Sequence, residues 1–282
     1  MDGMSVQLPA GVDRPLSIAE IADRSVTLAV RRWRTLLVLV LAEAVPVGIL
    51  RMVRPERPEA LTLVSFVPDI ALVALLYGAA AVVTAAPEPP SVTAALRTAA
   101  SRYGALLAVF IVAWLYFSLI GLGVAFAAVL TAAPVAAMFG RTAAIAVGAV
   151  VALLASVLFL PRAGLVAMIV MPIVALEERS PSKALATAFR RVRNTGQWRA
   201  RLLGLAMCAL LVAPLVVIAL TADNVDPKLP AFTLVEELLS DAISLGFGAV
   251  VATVISLEMR VRYEGADLEL GAARTTNVHR GE

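Results

Sequence analysis

The chain has 282 residues, 60% of them hydrophobic and 16% charged, with a mean hydropathy of +0.88. Soluble domains carry about a quarter charged residues, so this composition excludes an ordinary water-soluble fold. The single cysteine, Cys208, and the single histidine, His279, exclude an intrachain disulfide framework and leave too few nitrogen and sulfur ligands for a zinc centre, while the net charge of +3 is no argument for nucleic acid.

The apolar runs do not alternate with polar residues as barrel strands would. Helices are then the remaining way to satisfy the backbone in lipid, at about 20 apolar residues per crossing. The expected fold class is all-α, a polytopic helical membrane bundle. Six transmembrane helices form three repeats, each an amphipathic cytoplasmic helix plus a hairpin. One domain at 17–270 lies between a disordered leader (1–16), which lacks the apolar core of a signal peptide, and a cytoplasmic tail (271–282).

In chain order, Ser17-Ile18-Ala19-Glu20 reads as a capping box opening an amphipathic helix over 17–32. Ile18, Ile21, Ala22, Ser25 and Ala29 share one face of it, which suits a membrane surface or a partner. The first span runs from about Thr35 to Leu50, with Trp33 as an interfacial anchor. The second covers 61–86, interrupted at Pro68-Asp69. Ser91 caps a second amphipathic helix over 91–103, and the third span runs from Ala105 to about Thr131. The run from Thr142 to Leu176 contains Pro161-Arg162 and Pro172. It is either one long kinked helix or a span to Leu160 followed by a re-entrant piece at 163–176. Ser180-Pro181 then starts a third amphipathic helix over 181–195. Spans five and six cover 202–221 and about 234–257, joined by an acidic loop at 222–230.

Basic loops between spans stay in the cytoplasm. Residues 177–201 hold seven of the 24 Lys and Arg residues, and on the six-span topology 18 lie inside and 5 outside, with Arg162 left over. The expected orientation therefore has both termini cytoplasmic, and the excess of arginine over lysine, 22 to 2, fits a bacterial plasma membrane.

Three segments carry a family resemblance: LSIAEIADRSVTLAVRRWRTLL (16–37), MPIVALEERSPSKALATAFRRVRNTGQWRARLLGL (171–205) and EMRVRYEGADLEL (258–270). They resemble bacterial multi-pass proteins grouped with the membrane domain of glycerophosphoryl diester phosphodiesterases, most specifically at Glu258, Arg260, Arg262, Glu264, Gly265, Asp267 and Leu268. The chain departs from that family's aromatics and aspartate at Ser256, Leu257 and Glu258. The resemblance implies a fold and a location. It does not imply phosphodiesterase activity, which resides in a separate soluble barrel with paired histidines.

No Ser/His/Asp or Cys/His set is available for catalysis, and no cofactor or metal site is expected. Gly121-Leu122-Gly123 reads as helix packing. What remains is a candidate intramembrane polar site of Glu43, Asp69 and Arg162, since charges in a span are costly and need a partner or water. Their alternatives are transport or a structural pair such as Glu43 with Arg162, while Asp241 marks the outer interface. Lys183, Arg190, Arg191 and Arg193 lie on the face of the third amphipathic helix opposite Leu185, Ala188, Phe189 and Val192. They form a candidate surface for anionic lipids or a protein partner. Glu177, Glu178 and Glu258 are the acids placed for chemistry on a lipid headgroup. The leading expectation is a non-enzymatic structural, assembly or lipid-associated membrane module, with a transporter or lipid-handling protein as the alternative.

Overall fold

The computed structural model of the chain describes residues 14–53, 58–177, 180–222 and 238–263. Most of the expected leader, nearly all of the acidic loop and the terminal pattern from Glu264 onward lie outside the described residues. All regular structure among the described residues is helical: α1 Ile18–Arg31, α2 Trp33–Val53, α3 Pro58–Ala85, α4 Val92–Ala100, α5 Tyr103–Phe139, α6 Arg141–Leu176, α7 Pro181–Asn194, α8 Gln197–Ala222 and α9 Leu238–Tyr263. Within α9 the stretch Ala242–Gly248 is wound as a π-helix.

Local chemistry sets the helix starts. The Ser17 side chain accepts from the Glu20 amide at 3.2 Å, and the Glu20 carboxylate accepts from the Ser17 amide at 2.7 Å, so the capping box forms. A hydrogen bond from Arg14, with the Ser17 contacts, holds the Glu20 carboxyl down at about 2. Ser91 caps α4 through the Ala94 amide at 3.2 Å. At α7 the expectation is met in part. Ser180 and Pro181 occupy the cap and first positions, but the Ser180 hydroxyl bonds Ser182 instead of a free amide.

Among the described residues three helices are long and apolar enough to cross a membrane: α5, α6 and α9. At 1.5 Å per residue α5 and α6 are about 55 and 54 Å long, against about 30 Å of bilayer hydrocarbon. The positive φ of Gly140, 84°, lets the chain reverse between them. Each changes character along its length. The amino-terminal half of α6 exposes Leu153, Leu154 and Phe159, and the facing part of α5 exposes Leu119, Leu122 and Phe126, all at 58–67%. From Pro161 to Leu176, α6 is almost entirely buried, packed against α3, α5, α7 and α8. The protein therefore has a helical core that closes on α6, and an apolar hairpin that projects from it and suits acyl chains.

One open alternative is decided here and one expectation, the interruption at 68–69, gives way. The run at 142–176 is a single helix, so no separate re-entrant piece exists at 163–176, and neither Pro161 nor Pro172 ends it. Likewise α3 continues through positions 68 and 69. In water an internal proline costs about 3 kcal/mol and usually stops a helix. In an apolar setting a broken helix exposes more unpaired amides than the one proline removes, so the helix persists.

Three arginines close one end of the bundle. At the α1–α2 junction Arg32 donates to the Ala86 carbonyl at the end of α3. At the α4–α5 junction Arg102 donates to the Val174 and Ala175 carbonyls near the end of α6, at 3.1 and 2.6 Å. Near the start of α8 Arg199 donates to Glu258 of α9 at 3.0 Å and to the Leu16 carbonyl at 2.5 Å. A guanidinium at a helix C-terminus satisfies free carbonyls and opposes the negative end of the dipole. Arg262 also donates to the Leu16 carbonyl, at 3.2 Å, which brings the first and last described segments to one face of the molecule.

Candidate functional site

The candidate site grows from α7. Its apolar stripe is pinned inward: Ala184 and Ala188 are fully buried, and Phe189 meets Tyr116 of α5 edge-on, with ring centroids 5.3 Å apart. The faces flanking that stripe carry the charge. Arg190 and Arg193 reach a cavity of about 550 Å³ that is also lined by Tyr116, Arg162, Val166 and Gln197. Arg190 donates to the Tyr263 hydroxyl at 3.1 Å, which ties this wall to the end of α9. Among the described residues no carboxylate lines the cavity.

The four residues expected to form one basic surface do not act together. Lys183, Arg190 and Arg193 are exposed, but Arg191 is 4% exposed and forms a two-pronged pair with Glu177, at 3.0 and 2.6 Å. Helical spacing alone put Arg191 among its charged neighbours. The acid at the end of α6 draws it inward instead. Removing one member of a buried ion pair strands the other, at about 3–5 kcal/mol. Arg191→Ala is therefore expected to lower the thermal midpoint of the protein in lipid nanodiscs sharply, while Arg193→Ala changes stability by less than about 0.5 kcal/mol. Equal midpoints for the two variants would place Arg191 on the surface.

The three expected intramembrane charges are not gathered at one place. Arg162 faces α7 across the cavity. Glu43, 3% exposed, lies on α2, where Val40 approaches Gly246 of α9 so closely that a β-carbon at Gly246 would be 3.3 Å from it. The Asp69 side chain lies outside the described residues. Glu43 is absent from the cavity lining, and no ion pair joins it to Arg162 among the described residues. Asp241, expected at the outer interface, is 7% exposed and immediately precedes the π-helical stretch, whose Gly246 approaches Val40 of α2. Such π segments are frequent at functional positions.

Of the carboxylates placed for headgroup chemistry, Glu177 is held by Arg191, and Glu258, with no exposure, accepts from Arg199 and from Arg262 at 2.7 Å. Glu178 lies outside the described residues. Tyr116 and Gln197 were not legible as site residues: each is one polar group within or beside an apolar run, and only the crossing of α5, α7 and α8 brings them to Arg162. Compared with protein families, with curated proteins and with solved structures, the chain gave no match.

Proposed function

We propose that the chain is a non-enzymatic integral membrane protein of a bacterial plasma membrane, with six crossings and both termini in the cytoplasm. It serves as a structural or assembly module whose basic inner face engages anionic lipid or a partner protein. The observation that carries this reading is the division of α5 and α6. Their outer halves leave large apolar side chains exposed on the sides that do not face one another, and at the level where burial begins the arginines of α7 gather. The order of one short helix and two longer ones recurs three times, each with an arginine from the inner end of the first long helix reaching the inner end of the second. This supports the threefold arrangement, as does the meeting of Leu16 with Arg262 on one face for an even number of crossings. The landmark segments resembling the phosphodiesterase membrane domain agree with such a module and supply no catalytic set.

The transport alternative draws on Glu43, Asp69 and Arg162 sharing a water-filled space, and the separate settings of Glu43 and Arg162 give it less support. Thiol labelling of intact cells tests the topology in a Cys208→Ser background. Arg141→Cys is expected to react with an impermeant maleimide from outside, and Ser182→Cys only after permeabilisation. The reverse pattern would invert the orientation. In vesicles with a pH gradient, a proton leak that Glu43→Gln abolishes would transfer the function to transport.

A further inference from the structure

We infer that an apolar strip of Val26, Val30 and Trp33 seats α1 in the headgroup layer of the cytoplasmic leaflet, where Arg31 and Arg34 take the phosphate oxygens of anionic phospholipids. The inference rests on the lipid-associated reading above and gives it a place and a ligand class.

The side chains of α1 fall into three sectors. Ile21 and Ser25 are buried, and Ile18, Leu28 and Ala29 pack beside them against the core. Asp23, Thr27 and Arg31 form an exposed polar sector. Between the two, Ala19, Ala22, Val26 and Val30 are exposed, the valines at 51% and 65%. Their spacings of three and four keep them on one side of the helix. Trp33, 54% exposed, extends the line, and Leu37, Leu41, Val45 and Ile49 carry it along α2. The register is unbroken across Arg32. The other two short helices have no such strip: among the large apolar residues exposed on the described surface, α4 contributes none and α7 only Phe189.

A side toward protein, a side toward water and valines between them match the three media that meet at the edge of a membrane protein. The strip runs on into the line along α2 that suits acyl chains, so one medium covers both. As a contact with another protein, two valines and a tryptophan fall far short of the roughly 800 Å² per partner that a stable interface buries. Lipid is the occupant that fits.

Depth agrees with six crossings. With Trp33 at the cytoplasmic boundary, where tryptophan is favoured, the 21 residues of α2 span about 32 Å, enough for about 30 Å of hydrocarbon. Val40 of α2 meets Gly246 of α9, so the sixth span expected at about 234–257 covers the same depth. Val30 and Val26 lie three and seven residues before Trp33, within about 5 and 10 Å of its level at any tilt of α1. That is the depth of an interfacial helix.

The arginines at this level are available. Arg31 and Arg34 are exposed, and neither has a hydrogen bond or ion pair among the described residues. Arg34 lies 5.6 Å from the centre of the Trp33 ring, a stacking that leaves its N–H donors unused. Phosphate oxygens are strong acceptors for such donors.

The test uses the full-length Cys208→Ser chain in nanodiscs of phosphatidylcholine with phosphatidylglycerol. Spin labels on Val26→Cys, Val30→Cys and Thr27→Cys are relaxed by oxygen, which concentrates in lipid, or by a nickel chelate, which stays in water. The ratio of oxygen to nickel relaxation is expected to be at least threefold higher at the two valine positions than at Thr27. Ratios like that of Thr27 would put the strip in water and overturn the seat. Labels immobilised and shielded from both reagents would mean a protein cover and overturn lipid as the occupant. Because Val30 is the more exposed valine, its label remains informative even if Val26→Cys folds poorly. Native mass spectrometry then counts retained lipid. The preference for phosphatidylglycerol over phosphatidylcholine should fall at least threefold in the double variant Arg31→Gln with Arg34→Gln, and an unchanged preference would overturn the arginine contacts. Valine labels in lipid, with no phosphatidylglycerol preference in the parent chain, would overturn the anionic-lipid reading and keep the seat. Valine labels in water, with that preference intact, would do the reverse.

Discussion

Replacing Glu258 with glutamine is expected to destabilise the protein by about 3–5 kcal/mol, the usual cost of breaking a buried ion pair from one side. A typical domain has about 5–15 kcal/mol in all, so the variant should express poorly and lose much of its thermal midpoint. Glu258 has no solvent exposure, and its Oε1 accepts from both Arg199 and Arg262. Those two guanidinium groups also converge on one carbonyl, that of Leu16. An uncharged amide in place of the carboxylate leaves two like charges held together with nothing between them. Arg262 is 36% exposed and can swing toward water, which relieves part of the penalty, but Arg199 is 20% exposed and more confined. A paired replacement separates charge from packing: Glu258→Met with Arg199→Met should recover at least half of the loss, because a buried pair exchanged for apolar groups of similar volume is often neutral. Thermal unfolding in nanodiscs, followed by circular dichroism, reads both variants. An unchanged midpoint for Glu258→Gln would mean that water reaches the carboxylate.

The second large effect comes from Gly204. A β-carbon there would overlap the backbone of Pro161, its carbonyl oxygen and Cα included. The obstacle is main chain, so no rotamer change relieves it, and α6 and α8 must move apart. Overpacking by one methyl costs about 1–3 kcal/mol where side chains can shift. Gly204→Ala is expected at the top of that range or above it, and Gly204→Leu should prevent assembly. Cys208 offers a direct readout, because it is the only cysteine and sits one turn along α8 against Gly164 and the Leu160 carbonyl. Its reaction with a membrane-permeant maleimide should quicken in Gly204→Ala. Gly121→Ala and Gly123→Ala serve as controls: a β-carbon at either meets nothing within 4 Å, so both should be neutral. If all three variants behave alike, the contact between α6 and α8 is not the tight one.

That contrast also shows where sequence patterns stop being informative. Gly-Leu-Gly at 121–123 looks like a packing motif, yet it lies on the projecting hairpin. The glycine that does permit close approach, Gly204, stands alone in an apolar run. Helix starts were legible because a cap is a contact between residues three apart, as at Ser17 with Glu20 and Ser91 with Ala94. The apolar runs were legible because lipid demands them. The partners of charged side chains were not. Arg191 finds Glu177 fourteen residues away, and Arg199 finds Glu258 fifty-nine residues away, across a loop outside the described residues. Periodicity assigns a residue to a face of its own helix and is silent on what comes to meet that face. The company of Arg162 was not legible for the same reason: within its run it is a lone charge among apolar neighbours, and only the fold brings α7 beside it.

The arginine clamps bear on how the molecule is made. Arg32 with Ala86, Arg102 with Val174 and Ala175, and Arg199 with Glu258 each join the two ends of one hairpin, so each can close once that hairpin has left the ribosome and needs nothing synthesised later. Leu16 is the exception. Its carbonyl waits for Arg199 and then for Arg262, which is 246 residues downstream. Until the final helix arrives, Arg199 alone can hold the Leu16 carbonyl. Each hairpin can thus close as it is made, and the arrival of Arg262 completes the hold that joins the first described segment to the last.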